Sequence, residues 1–316
     1  SESMPHVPKP SKPAKPSKSA RTPIAPSPTP QSEPQSEPQS EPQSEPQSDS
    51  KSEPQSDSKS DSDPMHDSMA GFDQESRDIQ DQVHLFSLQS LSDAELHAAI
   101  SAIRLVGEDE DMPRVEIVDA DGQHAALMRI DHPVKIRVRG GLGDYAFAFN
   151  AQATVKVFGN VGHGVGEGMS SGSVRIRGHA GHGAGTAMTG GTLGIYGSAG
   201  DRVGGAMRGG GVFVKGNVGN DVGLGALSGT IVIGGDAGEN LGDPLSDVAV
   251  FIRGKAASLA EGVNEAPLRK KQEVKLGLLL ISAGIRGDAT DFRRIVPSAK
   301  LDAELSARGE VVPNWR

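Results

Sequence analysis

Seven glycines, Gly140, Gly159, Gly178, Gly197, Gly216, Gly235 and Gly254, stand 19 residues apart without a break. A fixed period of this size means a solenoid, because each repeat is one short unit that buries its apolar face only against its neighbours. The residues around the glycines say which solenoid. Each anchor follows a four-residue stretch of strict alternation, and period two means strand. Its two inward positions are aliphatic in every coil: Ile136/Val138, Val155/Val157, Val174/Ile176, Leu193/Ile195, Val212/Val214, Ile231/Ile233 and Val250/Ile252.

Further columns are apolar too. Two residues after the anchor come Leu142, Val161, Ala180, Ala199, Val218, Ala237 and Ala256. Six after come Ala146, Val165, Ala184, Val203, Val222, Leu241 and Ala260, and ten after, in the middle coils, Met169, Met188 and Met207. Each coil therefore turns small and medium apolar side chains inward, and the Met column reads as core filling. Glycine recurs three and seven residues after the anchors, and all these glycines read as corners that use the positive φ open to glycine. No coil contains a helix pattern. The fold expected is an all-β solenoid, a right-handed parallel β-helix of about seven 19-residue coils over residues 134–264. Runs such as Gly162-His163-Gly164 imitate nucleotide-binding fingerprints, but those need a following helix to present amides to phosphate.

The rest of the chain divides around this core. Residues 1–77 are low complexity: a basic stretch from Lys9 to Arg21, then Ser-Glu-Pro-Gln units and Ser-Asp-Ser-Lys units. With almost nothing apolar to bury, such a segment reads as a disordered tail. Residues 78–133 read as a small α+β cap. Ser92 and Glu95 form a capping box, and Leu96, Ile100 and Ile103 share a helical face. Two strands follow around Val115–Val118 and Ala125–Ile130, with Asp121-Gly122 as a hairpin signal between them. Residues 265–316 read as a C-terminal segment with a helix from about Pro267 to Ala283, ended by Gly284.

Composition excludes several chemistries. The chain has no cysteine, so it has no disulfide, no Cys-ligated zinc or iron–sulfur cluster and no Cys nucleophile. A formal charge of −9 argues against a nucleic-acid partner. No apolar run approaches the roughly 18 residues of a membrane span, and no signal-peptide pattern opens the chain; the lack of cysteine fits a reducing cytoplasm. No Ser/His/Asp triad is suggested, and no carboxylates converge. His163, His182 and Asp201 share the column four residues after the anchor with Asp144, Asn220 and Glu239. Three such residues in a stack are a conceivable divalent-metal set, but a polar turn column explains them more simply. No catalytic, cofactor-binding or metal residue is assigned.

The outward strand positions form the candidate interface. Early coils carry Arg137, Arg139, Lys156, Arg175 and Arg177, and stacked like charges call for an acidic partner or an N-terminal cover. Later coils carry Tyr196, Phe213, Val232 and Phe251, an apolar stripe of the kind that is normally covered. The cover is either a partner subunit or the C-terminal helix, through Val274, Leu278 and Ile281.

The runs Gly178-His179-Ala180-Gly181, Gly197-Ser198-Ala199-Gly200 and Gly235-Asp236-Ala237-Gly238 resemble the Gly-rich β-helix at the C-terminus of the glutamate synthase large subunit. The resemblance covers roughly residues 83–316. Asp121 to Ala125, Gly143-Asp144-Tyr145 and Phe292-Arg293-Arg294-Ile295 look most like the stand-alone β-helix subunit of N-methylglutamate synthase, an enzyme of methylamine utilisation. The resemblance implies a non-catalytic scaffold without a cofactor of its own. Its partners would be a glutaminase-like subunit and a synthase-like subunit carrying FMN, with an iron–sulfur cluster on a partner. Two alternatives stand beside it: the β-helix subunit of a formylmethanofuran dehydrogenase or formyltransferase/hydrolase complex, and an independent structural β-helix protein. A hexapeptide-type transferase fits less well, since those coils are about 18 residues long and lack the glycine corners.

Overall fold

The computed structural model describes residues 83–104 and 112–310. The low-complexity tail over residues 1–77 lies outside the described residues. The chain is an all-β parallel solenoid. Nine parallel strands follow one another in order: β1 (Val83–Ser87), β2 (Arg114–Asp121), β3 (Lys135–Gly141), β4 (Thr154–Val157), β5 (Ser173–Ile176), β6 (Thr192–Ile195), β7 (Arg208–Val214), β8 (Ser228–Ile233) and β9 (Ala249–Ile252). Their pairing keeps the repeat in register, Val155 beside Val174 beside Leu193 beside Val212 beside Ile231 beside Val250. The alternating residues all go into one core, which the Met169, Met188 and Met207 column completes. Single bridges between Leu142, Val161, Ala180 and Ala199, and again between Val218, Ala237 and Ala256, carry the pairing round the corner.

The glycines do two different jobs, and here the structure corrects the expectation. Of the seven anchors only Gly140 has a positive φ. The others are glycine because the coils touch there. A Cβ on Gly197 would sit 2.6 Å from the carbonyl oxygen and 2.8 Å from the carbonyl carbon of Gly178 one coil below. The glycines three residues on, such as Gly181 and Gly200, face the preceding coil in the same way. Left-handed backbone belongs to a later segment, where every second residue has positive φ: Gly164, Gly166 and Gly168 in one coil, Gly183, Gly185 and Ala187 in the next. In the coil before these, Tyr145, Phe147 and Phe149 adopt the same conformation without being glycine. Phe147 is buried in the core, while the Tyr145 and Phe149 rings lie against Gly164 and Gly168, where a Cβ would meet them.

At the N-terminal end, α1 (Asp93–Ser101) carries the expected capping box, with Ser92 N–H donating to Glu95 Oε2 at 2.8 Å and Glu95 N–H to Ser92 Oγ at 3.3 Å. Leu96, Ile100 and Ile103 close the core from this side. The expected hairpin does not form. β2 pairs in parallel with β3, and Ala125, Leu127 and Arg129 have left-handed φ, as do Tyr145, Phe147 and Phe149 above them. Residues 114–131 are thus a further coil, and the Asp121-Gly122 turn stacks on the next one, Gly122 N–H donating to Gly141 O at 3.0 Å.

The C-terminal segment is more than a helix. After β10 (Val263–Pro267), helix α2 (Lys270–Ala283) ends at Gly284, whose φ of 69° is left-handed. Strand β11 (Arg293–Pro297) then inserts antiparallel between β9 and β10, and α3 (Ser298–Ser306) follows. The unpaired edge that β9 would otherwise expose explains the insertion. Arg294 in β11 is buried and pairs with Glu304 of α3 at 2.8 Å, and Arg269 reaches the same carboxylate. Burial alone would raise the Glu304 carboxyl, but the Arg294 hydrogen bond and the charges of Arg294, Arg269 and Lys300 outweigh it and hold it below its ordinary value.

The anchor role predicts a contrast between two nearby glycines. Gly197→Ala forces a methyl into backbone and should cost about 1–3 kcal/mol. Gly194→Ala meets only the Arg175 side chain, at 3.8 Å, and should be tolerated. Urea unfolding of both variants checks this; equal stability would refute the close-contact reading.

Candidate functional site

The outer face of the sheet collects the candidate interface residues into rows. Strand register places Glu116, Arg137, Lys156, Arg175, Gly194, Phe213, Val232 and Phe251 side by side. The apolar half of this row is not open surface. Helix α2 lies across it, and Phe213, Val232 and Phe251 are only 2%, 0% and 3% exposed in a cluster with Leu276, Leu280, Ala283, Ile285, Ala289 and Phe292. Tyr196 fixes the end of the helix by donating its hydroxyl to Ala283 O at 2.9 Å, and Arg177 stacks over the Tyr196 ring at 5.4 Å.

The helix uses the other of its two apolar faces. Val274, Leu278 and Ile281, expected to make the cover, remain 62%, 65% and 78% exposed. Both sets are spaced i, i+4, i+7, so periodicity fits either face. What decides is the path of the chain out of β10 and the anchors Arg175 and Tyr196 at the far end. The result is an apolar ridge along the outside of α2.

Beyond the end of α2 the face is basic, and among the described residues no helix lies over it. A groove of about 430 Å³ is lined by Val83, Arg114, Glu116, Lys135, Arg137, Lys156, Ser173 and Arg175 among others. Glu116 is engaged by Arg139, and Arg175 Nη2 donates to Ser282 O at 2.9 Å. Lys135 and Ser173 were not singled out in the sequence, although their position two residues before Arg137 and Arg175 puts them on the same face.

The histidine column is a hydrogen-bond ladder. From Asp144 to Asn220, each side chain four residues after an anchor accepts the backbone N–H of its successor one coil on. His163 N–H donates to Asp144 Oδ1 at 2.7 Å, His182 N–H to His163 Nδ1 at 2.9 Å, and Asp201 N–H to His182 Nδ1 at 2.8 Å. Asn220 and Glu239 continue the ladder. A parallel ladder runs through Asn160, His179, Ser198, Asn217 and Asp236, one residue after the anchors. The His163 and His182 rings stack at 4.9 Å. Nδ1 of each ring is committed as an acceptor, so the neutral imidazole carries its proton on Nε2. Among the described residues no group of three or more His, Asp or Glu side chains is placed to hold a metal ion.

No family model matches the chain. Protein GlxC of Rhizobium meliloti (strain 1021) is 41% identical over 56 residues, which are 18% of this chain and 25% of that protein. The chain thus spans a quarter of that relative's length. A chain of the formyltransferase/hydrolase complex from Methylorubrum extorquens, solved with methylofuran, superposes with a TM-score of 0.44 and 21% identity, over 61% of this chain and 81% of that one. Among the described residues no helix is long and apolar enough to cross a membrane.

The ladder predicts that His163→Ala leaves the His182 N–H without its acceptor and costs about 0.5–1.5 kcal/mol. His163→Asn should restore most of this, since Asn220 accepts at the equivalent position three coils later. Thermal unfolding of the two variants separates a hydrogen-bond role from ring stacking, which Asn would not restore.

Proposed function

We propose that this chain is a non-catalytic scaffold subunit of a multi-subunit enzyme complex, docking to its partners through the outer ridge of α2. The observation that carries the reading is the exposure of Val274, Leu278 and Ile281 on a helix whose opposite face is fully engaged. One apolar face anchors the helix to the solenoid. A second ridge of three large aliphatic side chains left in water is stabilised by covering it, at about 1.5–3 kcal/mol per fully buried side chain. The polar column that came nearest to a metal set is occupied in holding coil to coil, which supports a structural role.

Two identities of the complex are proposed, both from resemblance. The coil motifs resemble those of glutamate synthase-type enzymes, where the partners would be a glutaminase-like chain and an FMN-bearing synthase-like chain, as for N-methylglutamate synthase. The other identity is a formyltransferase/hydrolase-type complex, which uses the same Gly-rich coil and is the assembly from which the superposed chain comes. In neither does this chain bind a cofactor.

Affinity purification of the full chain from its native cells tests the reading. The wild type should bring down stoichiometric partner chains, and Leu278→Glu/Ile281→Glu should lose them while keeping the wild-type circular dichroism spectrum. Flavin absorbance in the eluate identifies the glutamate synthase-type assembly, and formyl-transfer activity identifies the other. A folded chain that elutes alone overturns the proposal in favour of an independent structural β-helix.

A further inference from the structure

The basic groove that α2 leaves open has the makings of a binding site for carboxylates. Arg137, Lys156 and Arg175 stand in register on adjacent strands, about 4.8 Å apart, so three like charges are stacked without an intervening acid. Lys135 adds a fourth on the neighbouring row. Among the described residues no ion pair reaches Lys135, Arg137 or Lys156, and the one carboxylate in the groove, Glu116, is taken by Arg139. Two further donors are stranded: Ser173 Oγ and Arg175 Nε are both buried and have no hydrogen-bond partner. A buried donor without a partner is destabilising, because it has given up water and gained nothing in return. An Arg Nε–H and a Ser O–H in one groove with three free cations are the complement of acidic side chains.

The chain itself supplies such side chains at the right place. Val83, the first residue described, lines the groove and pairs with Arg114 at its edge. The residues immediately before it are Asp73, Gln74, Glu75, Ser76, Arg77, Asp78, Ile79, Gln80, Asp81 and Gln82, four acids against one Arg. From β1 to β5 is four strand spacings, about 19 Å, which about six extended residues cover at roughly 3.3 Å each. Counting back from Val83, Asp81 and Asp78 fall within that reach and Glu75 lies just beyond it.

We propose that the acidic segment 73–82 docks into the basic groove of its own chain, with Asp78 and Asp81 answering Lys135, Arg137 and Lys156, and Glu75 reaching Arg175. The segment covers the early coils as α2 covers the late ones, so the outer face of the sheet is capped along its length by the chain's own two flanks. The inference stands apart from the scaffold proposal, since it concerns a different surface and needs no partner.

Zero-length carbodiimide cross-linking of the purified full chain, read by peptide mass spectrometry, tests it. Lys135 and Lys156 should link to Glu75, Asp78 or Asp81, and the yield should fall several-fold in about 0.5 M salt, where exposed charge pairs are screened. Arg137→Glu, an exposed substitution that leaves both lysines in place, should reduce those links to the same extent. Mixing isotopically light and heavy chains separates the possible occupants. Links within one chain support the proposal, whereas links between light and heavy chains make a second copy the occupant and overturn it. Absence of links from Lys135 and Lys156, or links mainly to other carboxylates, overturns it as well.

Discussion

The structure depends on how closely one coil can lie on the next. Where the chain leaves each strand, the backbone of the anchor glycine rests on the carbonyl of the glycine below, at a separation that excludes even a methyl group. Peptide hydrogen bonds then run from coil to coil in the strands, at the bridges two residues after the anchor and through the left-handed segment. Side-chain acceptors close the remaining gap. The columns through Asn160 and His163 take up backbone N–H groups that the corner geometry would otherwise leave unpaired. A polar ladder on the surface and an aliphatic stack inside are thus two results of one constraint.

That constraint is why the fold was legible in the sequence. A 19-residue period, aliphatic pairs in every strand and glycine at the contact positions are each visible without coordinates. The reason for the glycines was not: sequence shows that a position is glycine, but not whether φ or a neighbour's backbone demands it. Gly197 and Gly166 look alike in a repeat and serve different ends. Irregular coils were harder still. Residues 114–131 keep the backbone conformation of a coil with Gly122 as their one glycine, so Ala125, Leu127 and Arg129 read as strand residues. β11 was missed because an antiparallel strand inserted after a helix carries no trace of the period.

The candidate surface was half legible. Period two identified the outward rows, and strand register brings Arg137, Lys156 and Arg175 together as the pattern implies. It could not say that α2 lies over Phe213, Val232 and Phe251 with Leu276 and Leu280, because the helix is apolar on two sides. That ambiguity has a physical counterpart. A helix with one apolar face needs one support; this one has a second ridge facing away from its solenoid.

The central claim is that this second ridge is an interface. Hydroxyl-radical footprinting of Leu278 and Ile281, on the isolated chain and in the assembly purified from native cells, measures it directly. The account predicts fast labelling of both side chains in the isolated chain and strong protection in the assembly, with Leu276 and Leu280 protected in both. Equal labelling of Leu278 and Ile281 in the two states would contradict it.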